Sequence, residues 1–174
     1  MPELTVISNT SPLLYLHQVG QLGLLRQLYQ QVLVPAAVEA ELKAGRERGV
    51  EVPLLSRLDW VELRDVVVPR RPADVSQLGA GEAGVITLAL SRQPCLLLLD
   101  DRPARRLAAA QGLASTGTLG ILLKAKADRL IPMVSPVLDE LKKTTMWLND
   151  ELIGLVLAEA REGSRRTRAI GSGG

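Results

Sequence analysis

An α/β fold built on a parallel sheet is predicted for this chain by three observations. Short apolar runs alternate with helical patterns, capping or turn residues stand between them, and Cys95 to Leu99 is apolar without interruption. A run with no polar alternation marks a strand covered on both faces. Strand-then-helix order requires βαβ crossovers, which are right-handed and lay helices over the sheet.

The elements follow in order. Leu4 to Ser8 (LTVIS) reads as the first strand, closed by Asn9-Thr10-Ser11-Pro12, with Ser11 as the cap of a helix and Pro12 at its first position. Helical spacing runs through Leu13, Leu14 and Leu16, pauses at Gly20 and resumes from Leu22 to Leu28. Val32 to Val34 is a second strand. Pro35 opens a helix carrying Val38 and Leu42 on one face, which Gly45 is expected to end. Arg46 to Arg57 reads as a loop, and Trp60 to Val68 alternates weakly, as an extra strand would, before Pro69, Pro72 and Asp74 break the pattern. A helix from Gly81 to Leu90 leads to the apolar strand Cys95 to Leu99. Arg102 to Gln111 is then helical with Gly112 as its stop, Leu113 to Thr116 is the last strand, and a helix runs from Gly117 to about Leu130. Two helices, Ser135 to Lys143 and Asn149 to Glu162, are expected to pack as an antiparallel pair. The reading is one domain over residues 1–162, with 163–174 (GSRRTRAIGSGG) a disordered tail.

Composition narrows the chemistry. In 174 residues there is one cysteine, Cys95, which excludes a zinc ribbon or a disulfide framework; with no secretory pattern at the start, a reducing cytoplasm is expected. The one histidine, His17, lies on a Leu-rich helix with no nucleophile beside it, so a Ser-His-Asp arrangement is not expected. Aromatics are 2% with no Phe, so a base-stacking platform is not expected either, and Trp60 and Trp147 read as packing residues. A net charge of +2 does not predict nucleic-acid binding by bulk electrostatics. Carboxylates remain.

In a parallel sheet, sites lie beyond the carboxyl ends of the strands. Three polar segments stand there: Asn9-Thr10-Ser11, Asp100-Asp101 and Thr116-Gly117-Thr118. Glu41 and Glu82, on helices, are placed to join them. Two carboxylates about 4 Å apart repel by about 4 kcal/mol at an effective dielectric of 20, so such a cluster calls for a divalent cation or shared protons. Oxygen-only ligands suit Mg²⁺ or Mn²⁺. Each residue also has an ordinary structural role open to it. Asp100-Asp101 can cap a helix, Glu82 can complement a helix dipole, Glu41 is a common surface residue type, and Thr116 to Thr118 can be a cap. Gly112 to Thr118 (GLASTGT) has Gly117-Thr118 where a phosphate loop needs Gly-Lys-Ser/Thr, which rejects a Walker A site, and the lack of a phosphate-loop glycine pattern argues against a nucleotide-binding flavodoxin-like protein.

The combination is more specific than its parts. The strand ending in Asn-Thr-Ser-Pro is followed by VPxxVxxEL at Val34 to Leu42, GAGEAxxIxLAL at Gly79 to Leu90, LLLLDDRxARRxA at Leu96 to Ala108 and TGTLGILLKAK at Thr116 to Lys126. This order, over about Val6 to Leu152, resembles the PIN-domain-like DUF3368 family of the toxin-type ribonuclease superfamily. The resemblance implies a three-layer α/β/α fold with a central parallel sheet and C-terminal helices, and a Mg²⁺- or Mn²⁺-dependent endoribonuclease centre. By the same resemblance Glu41, Glu82 and Asp101 match three of its four acids, Asp100 is an alternate for the last, and Thr116 or Thr118, with Ser11, supports the site. Glu82, Asp101 and the residue at position 9 would hold the metal, and Arg102, Arg105 and Lys124 the RNA backbone. Asn9 stands where the family pattern has its first acid. It keeps one carbonyl acceptor and loses the charge, so the alternative is a catalytically weak module binding RNA or an antitoxin-like small protein. A second copy of the chain is a further candidate partner, and no membrane association is expected.

Overall fold

The computed structural model describes residues 3–69 and 78–163. Pro72, Asp74 and all of the tail after Gly163 lie outside the described residues. Five strands form one sheet: β1 (Thr5–Ser8), β2 (Val32–Pro35), β3 (Val61–Arg64), β4 (Cys95–Leu98) and β5 (Ala114–Thr116). Their order is β3-β2-β1-β4-β5, with each neighbouring pair parallel. Around them are α1 (Thr10–Gln18), α2 (Gly23–Tyr29), α3 (Ala36–Glu47), α4 (Ala80–Leu90), α5 (Arg102–Ala110), α6 (Thr118–Ala127), α7 (Ser135–Leu141) and α8 (Asp150–Glu159). The result is the three-layer α/β/α arrangement with C-terminal helices. Helix α4 lies across β2, β1 and β4, while α2 and α5 pack on β2 and β5.

The apolar runs explain the sheet. Ile7, Val32, Val34, Leu97 and Leu98 are fully buried, because helices cover the strands from both sides. Burying each such side chain contributes about 1.5–3 kcal/mol. The weak alternation near Trp60 is a real strand: β3 is an edge strand, so Val61, Glu62 and Arg64 are only half-buried and Leu63 is exposed. Trp60 itself is buried beside it.

Several boundaries differ from expectation for physical reasons. Helix α1 begins at Thr10 behind Asn9, so Ser11 is not its cap and Pro12 is the third helical residue, within the first turn. Proline is tolerated there because the first four amide hydrogens of a helix have no partner within it. Helix α3 passes through Gly45 and stops before Gly49, whose φ of +82° supplies the left-handed residue that ends a helix. Gly112, at φ +72°, closes α5 as expected. The expected pairing of the last two helices is modified: α8 packs against α6, and a residue that follows it links back to the start of α7. Glu162, just beyond α8, accepts the backbone amides of Val134 (2.8 Å) and Ser135 (3.0 Å) and pairs with Lys126 (2.9 Å).

Candidate functional site

The strand order places the site. It reverses direction between β1 and β4, and the crevice beyond the carboxyl ends of such strands is where α/β proteins bind ligands. Ser8 registers with Leu98, and the Asn9 amide donates to the Leu98 carbonyl at 3.0 Å. Leu98 in turn registers with Thr116. The ends carrying Asn9, Asp100-Asp101 and Thr116-Gly117 therefore stand side by side.

Asn9 caps α1 by position, and asparagine is a preferred capping residue, yet its side chain makes no cap. Instead Nδ2 donates to Glu82 Oε1 at 3.0 Å. The residue is 2% exposed, and its Oδ1 is buried without a hydrogen-bond partner. Glu41 reaches the same place from α3. Its Oε2 accepts a short hydrogen bond from Thr10 Oγ1, and its Oε1 accepts the Gly81 amide at 2.9 Å. Glycine at Gly81 leaves these groups their room: a Cβ would stand 2.8 Å from Asn9 Oδ1 and from each Glu41 oxygen, so one side or the other would have to shift. Gly79 similarly leaves room for the Glu82 carboxylate. The GAGE sequence is thus the opening through which two helices and a strand end bring their polar groups to the first turn of α4.

Asp100 and Asp101 do different things. Asp101 Oδ2 accepts the Ala104 amide at 2.9 Å and caps α5, as its sequence position allows. Asp100 accepts the Thr118 amide at 2.6 Å and Thr118 Oγ1 at 2.7 Å, tying β4 to the start of α6. Burial pushes the Asp100 carboxyl above the usual carboxylate range; the Thr118 hydrogen bonds and the Arg105 guanidinium pull it down without cancelling that effect. Gly117 is required beside it, since a Cβ would stand 2.7 Å from Asp100 Oδ1.

A cleft of about 600 Å³ opens over this edge, lined by Ser11, Glu82, Asp100, Asp101, Arg102, Arg105 and Thr116. Glu82 joins the cleft to the Asn9–Glu41 cluster. Lys124 is not among its lining residues; it pairs with Asp128 at 3.1 Å and lines a neighbouring depression with Lys126 and Arg161. Sequence reasoning placed Thr10 at the site without its bond to Glu41, and missed Gly81, Tyr15 and Trp147. Thr10 and Gly81 were legible as immediate neighbours of Asn9 and Glu82. Trp147 departs from the packing role expected of it: it is 76% exposed and lines this cleft with Tyr15.

Among the described residues, no three His, Cys, Asp or Glu side chains are grouped so as to hold a metal ion. The oxygens that converge are Asn9 Oδ1 and the Glu41 pair, hard donors of the type that Mg²⁺ and Mn²⁺ take. The unpartnered Asn9 Oδ1 fits such an ion, while the hydrogen bonds already made by Glu41 and Glu82 reduce the charge left to hold it.

Fold and site together define an α/β protein with an acidic cleft at the carboxyl edge of a parallel sheet. The family model DUF3368, described as a PIN domain, matches residues 5–162, and the chain belongs to that family. No curated protein matches it in sequence. No helix among the described residues is long and apolar enough to cross a membrane.

Proposed function

We propose that the chain is a PIN-type module that binds single-stranded RNA in the cleft beyond β1 and β4 and hydrolyses it only weakly. The observation that carries this reading is the Asn9–Glu82 hydrogen bond. An acid at the end of β1 would set two negative charges against each other and create a demand for a cation; the amide answers Glu82 with an N–H instead. Thr10 and Gly81 answer Glu41 in the same way. The centre is held together by the protein's own donors, which favours binding over metal-assisted cleavage. Arg102 and Arg105 on the cleft are the phosphate contacts, and an RNA ligand goes with a cytoplasmic location.

A second reading, a Mg²⁺- or Mn²⁺-dependent endoribonuclease, is favoured by the buried, unpartnered Asn9 Oδ1 beside Glu41. Asn9, Glu41 and Glu82 would hold the ion, with Asp101 at the cleft. When bound, the ion supplies Lewis-acid stabilisation of phosphate charge and a lowered pKa for water.

The test is a titration of labelled single-stranded RNA in EDTA, followed by Mn²⁺ addition. The first reading expects binding without metal, slow cleavage with it, and a cleavage rate raised about tenfold or more by Asn9→Asp, the equivalent of about 1.4 kcal/mol in the barrier. Binding that requires metal, with fast cleavage by the wild type, selects the second reading. No RNA binding under either condition rejects both.

A further inference from the structure

We infer that Trp147 is a stacking platform for one unpaired base of the bound RNA, an inference that rests on the RNA-binding reading above. The chain has two Trp, two Tyr and no Phe, and two of these four aromatics, Tyr15 and Trp147, line the cleft that also holds Glu82, Asp100 and Asp101. A large indole left 76% exposed forfeits burial that a chain so poor in aromatics has every reason to use.

The loop that carries it is built to hold it out. Residues 142–149 link α7 to α8, and hydrogen bonds fix the segment at Thr144 and at Asn149. Thr144 Oγ1 donates to the Leu141 carbonyl at 2.6 Å and accepts the Met146 amide at 3.2 Å; Asn149 Oδ1 accepts the Leu152 amide at 2.7 Å. Met146 and Leu148 pack against the core on either side, so the residue between them faces outward. Tyr15, on α1, approaches the same loop through Thr145, with the two hydroxyl oxygens 3.4 Å apart. An aromatic held in one place loses little entropy when a ring stacks on it.

The electrostatics call for such a contact. Glu82, Asp100 and Asp101 make the cleft floor acidic and repel phosphates, and the net charge of +2 offers little long-range attraction. Arg102 enters none of the ion pairs formed among the described residues and is exposed on the same cleft. Base stacking needs no charge and tolerates any sequence, because every base has a π-face. The arrangement thus suits a strand whose phosphates meet the arginines and whose base covers the indole.

The experiment compares three ligands of equal length, oligouridylate, its abasic ribose-phosphate counterpart and duplex RNA, by fluorescence anisotropy and tryptophan emission in EDTA. Oligouridylate should bind with quenching of the exposed tryptophan, and the other two more weakly without it. Trp147→Leu should weaken oligouridylate binding by about 5- to 100-fold, the range that base–aromatic contacts span, while Trp147→Phe retains most of it. Because the side chain is exposed, neither change threatens the fold. If Trp147→Leu binds like wild type, or the abasic polymer binds as well as RNA, the stacking inference is overturned and RNA binding stands. If wild type binds none of the three, both fall.

Discussion

Replacing Asn9 with aspartate converts the central hydrogen bond of the site into a clash of charges, and its size follows from the geometry. The amide nitrogen lies 3.0 Å from Glu82 Oε1. Two full charges at about that distance repel by about 5 kcal/mol at an effective dielectric of 20, and a hydrogen bond to a charged acceptor, about 1.5–3 kcal/mol, is lost as well. The protein has an escape: one carboxyl of the new pair can keep a proton. At pH 7 that costs about 4 kcal/mol, three units above the ordinary carboxylate value. The half-exposed Glu82 screens part of the repulsion, which leaves a net destabilisation of about 2–4 kcal/mol without metal. For a domain of this size the melting temperature should fall by about 4–16 °C.

The pH dependence has a defined sign. The pair binds its proton more tightly folded than unfolded, so the deficit is small near pH 5 and widens as the pH rises toward 8. Mn²⁺ at about one hundred times its dissociation constant should return about 2.7 kcal/mol. Thermal melts by circular dichroism in EDTA and in Mn²⁺, at pH 5, 6.5 and 8, check this. A deficit independent of both pH and Mn²⁺, or no deficit, would refute the placement of Asn9 against Glu82 as the centre of the site.

Three further outcomes are expected. Gly81→Ala gains up to about 1 kcal/mol of helix propensity but drives a methyl into Asn9 Oδ1 and both Glu41 oxygens, so urea unfolding should show a net loss of about 1–3 kcal/mol; a gain would mean that the cluster yields freely. Asp100→Asn preserves an acceptor for the Thr118 amide and a partner for its hydroxyl while removing a charge that burial disfavours. The folded-state pKa of Asp100 is raised, so wild type loses stability as the pH rises through it; the variant's advantage should be greatest at pH 8 and shrink toward pH 4, read as urea midpoints. Glu162 is the opposite case: burial raises its pKa, but its bonds to Val134, Ser135 and Lys126 outweigh this and lower it. With the Glu162 side chain 6% exposed, Glu162→Gln should cost about 1.5–3 kcal/mol at pH 7, a deficit that closes as the pH falls below the carboxylate range.

Elements with strong local signals were legible in the sequence. The LLLL run of β4 needs both faces covered, and Gly112 needs a left-handed conformation; each admits essentially one reading. The start of α1 did not, because Asn9, Thr10 and Ser11 are all acceptable caps, and the Asn9 side chain, which a cap would use, is instead engaged by Glu82, 73 residues away. The pairing of the last helices was missed because helical periodicity specifies an apolar face but not what covers it, and here α6 covers α8. In the site, residue types were readable and their division of labour was not. Asp100 and Asp101 are equivalent as letters, yet one is turned toward Thr118 and the other caps α5. Trp147 was misjudged because hydropathy argues for burying an indole, and only the anchoring of its neighbours holds it in solvent.

The strand order has a consequence for how the molecule comes together. The strands up to Arg64 build one wing of the sheet, with β1 innermost, those from Cys95 onward build the other, and α4 lies across β2, β1 and β4. The bonds Asn9–Glu82 and Gly81–Glu41 both join α4 to the first wing, across 73 and 40 residues of chain. Neither can form until α4 has docked on that wing, so the centre is a recorder of that docking. The Gly81 amide is its stylus: in the first turn of α4 it has no helical partner and would exchange freely with solvent, but with its hydrogen on Glu41 it is released only when α4 parts from α3.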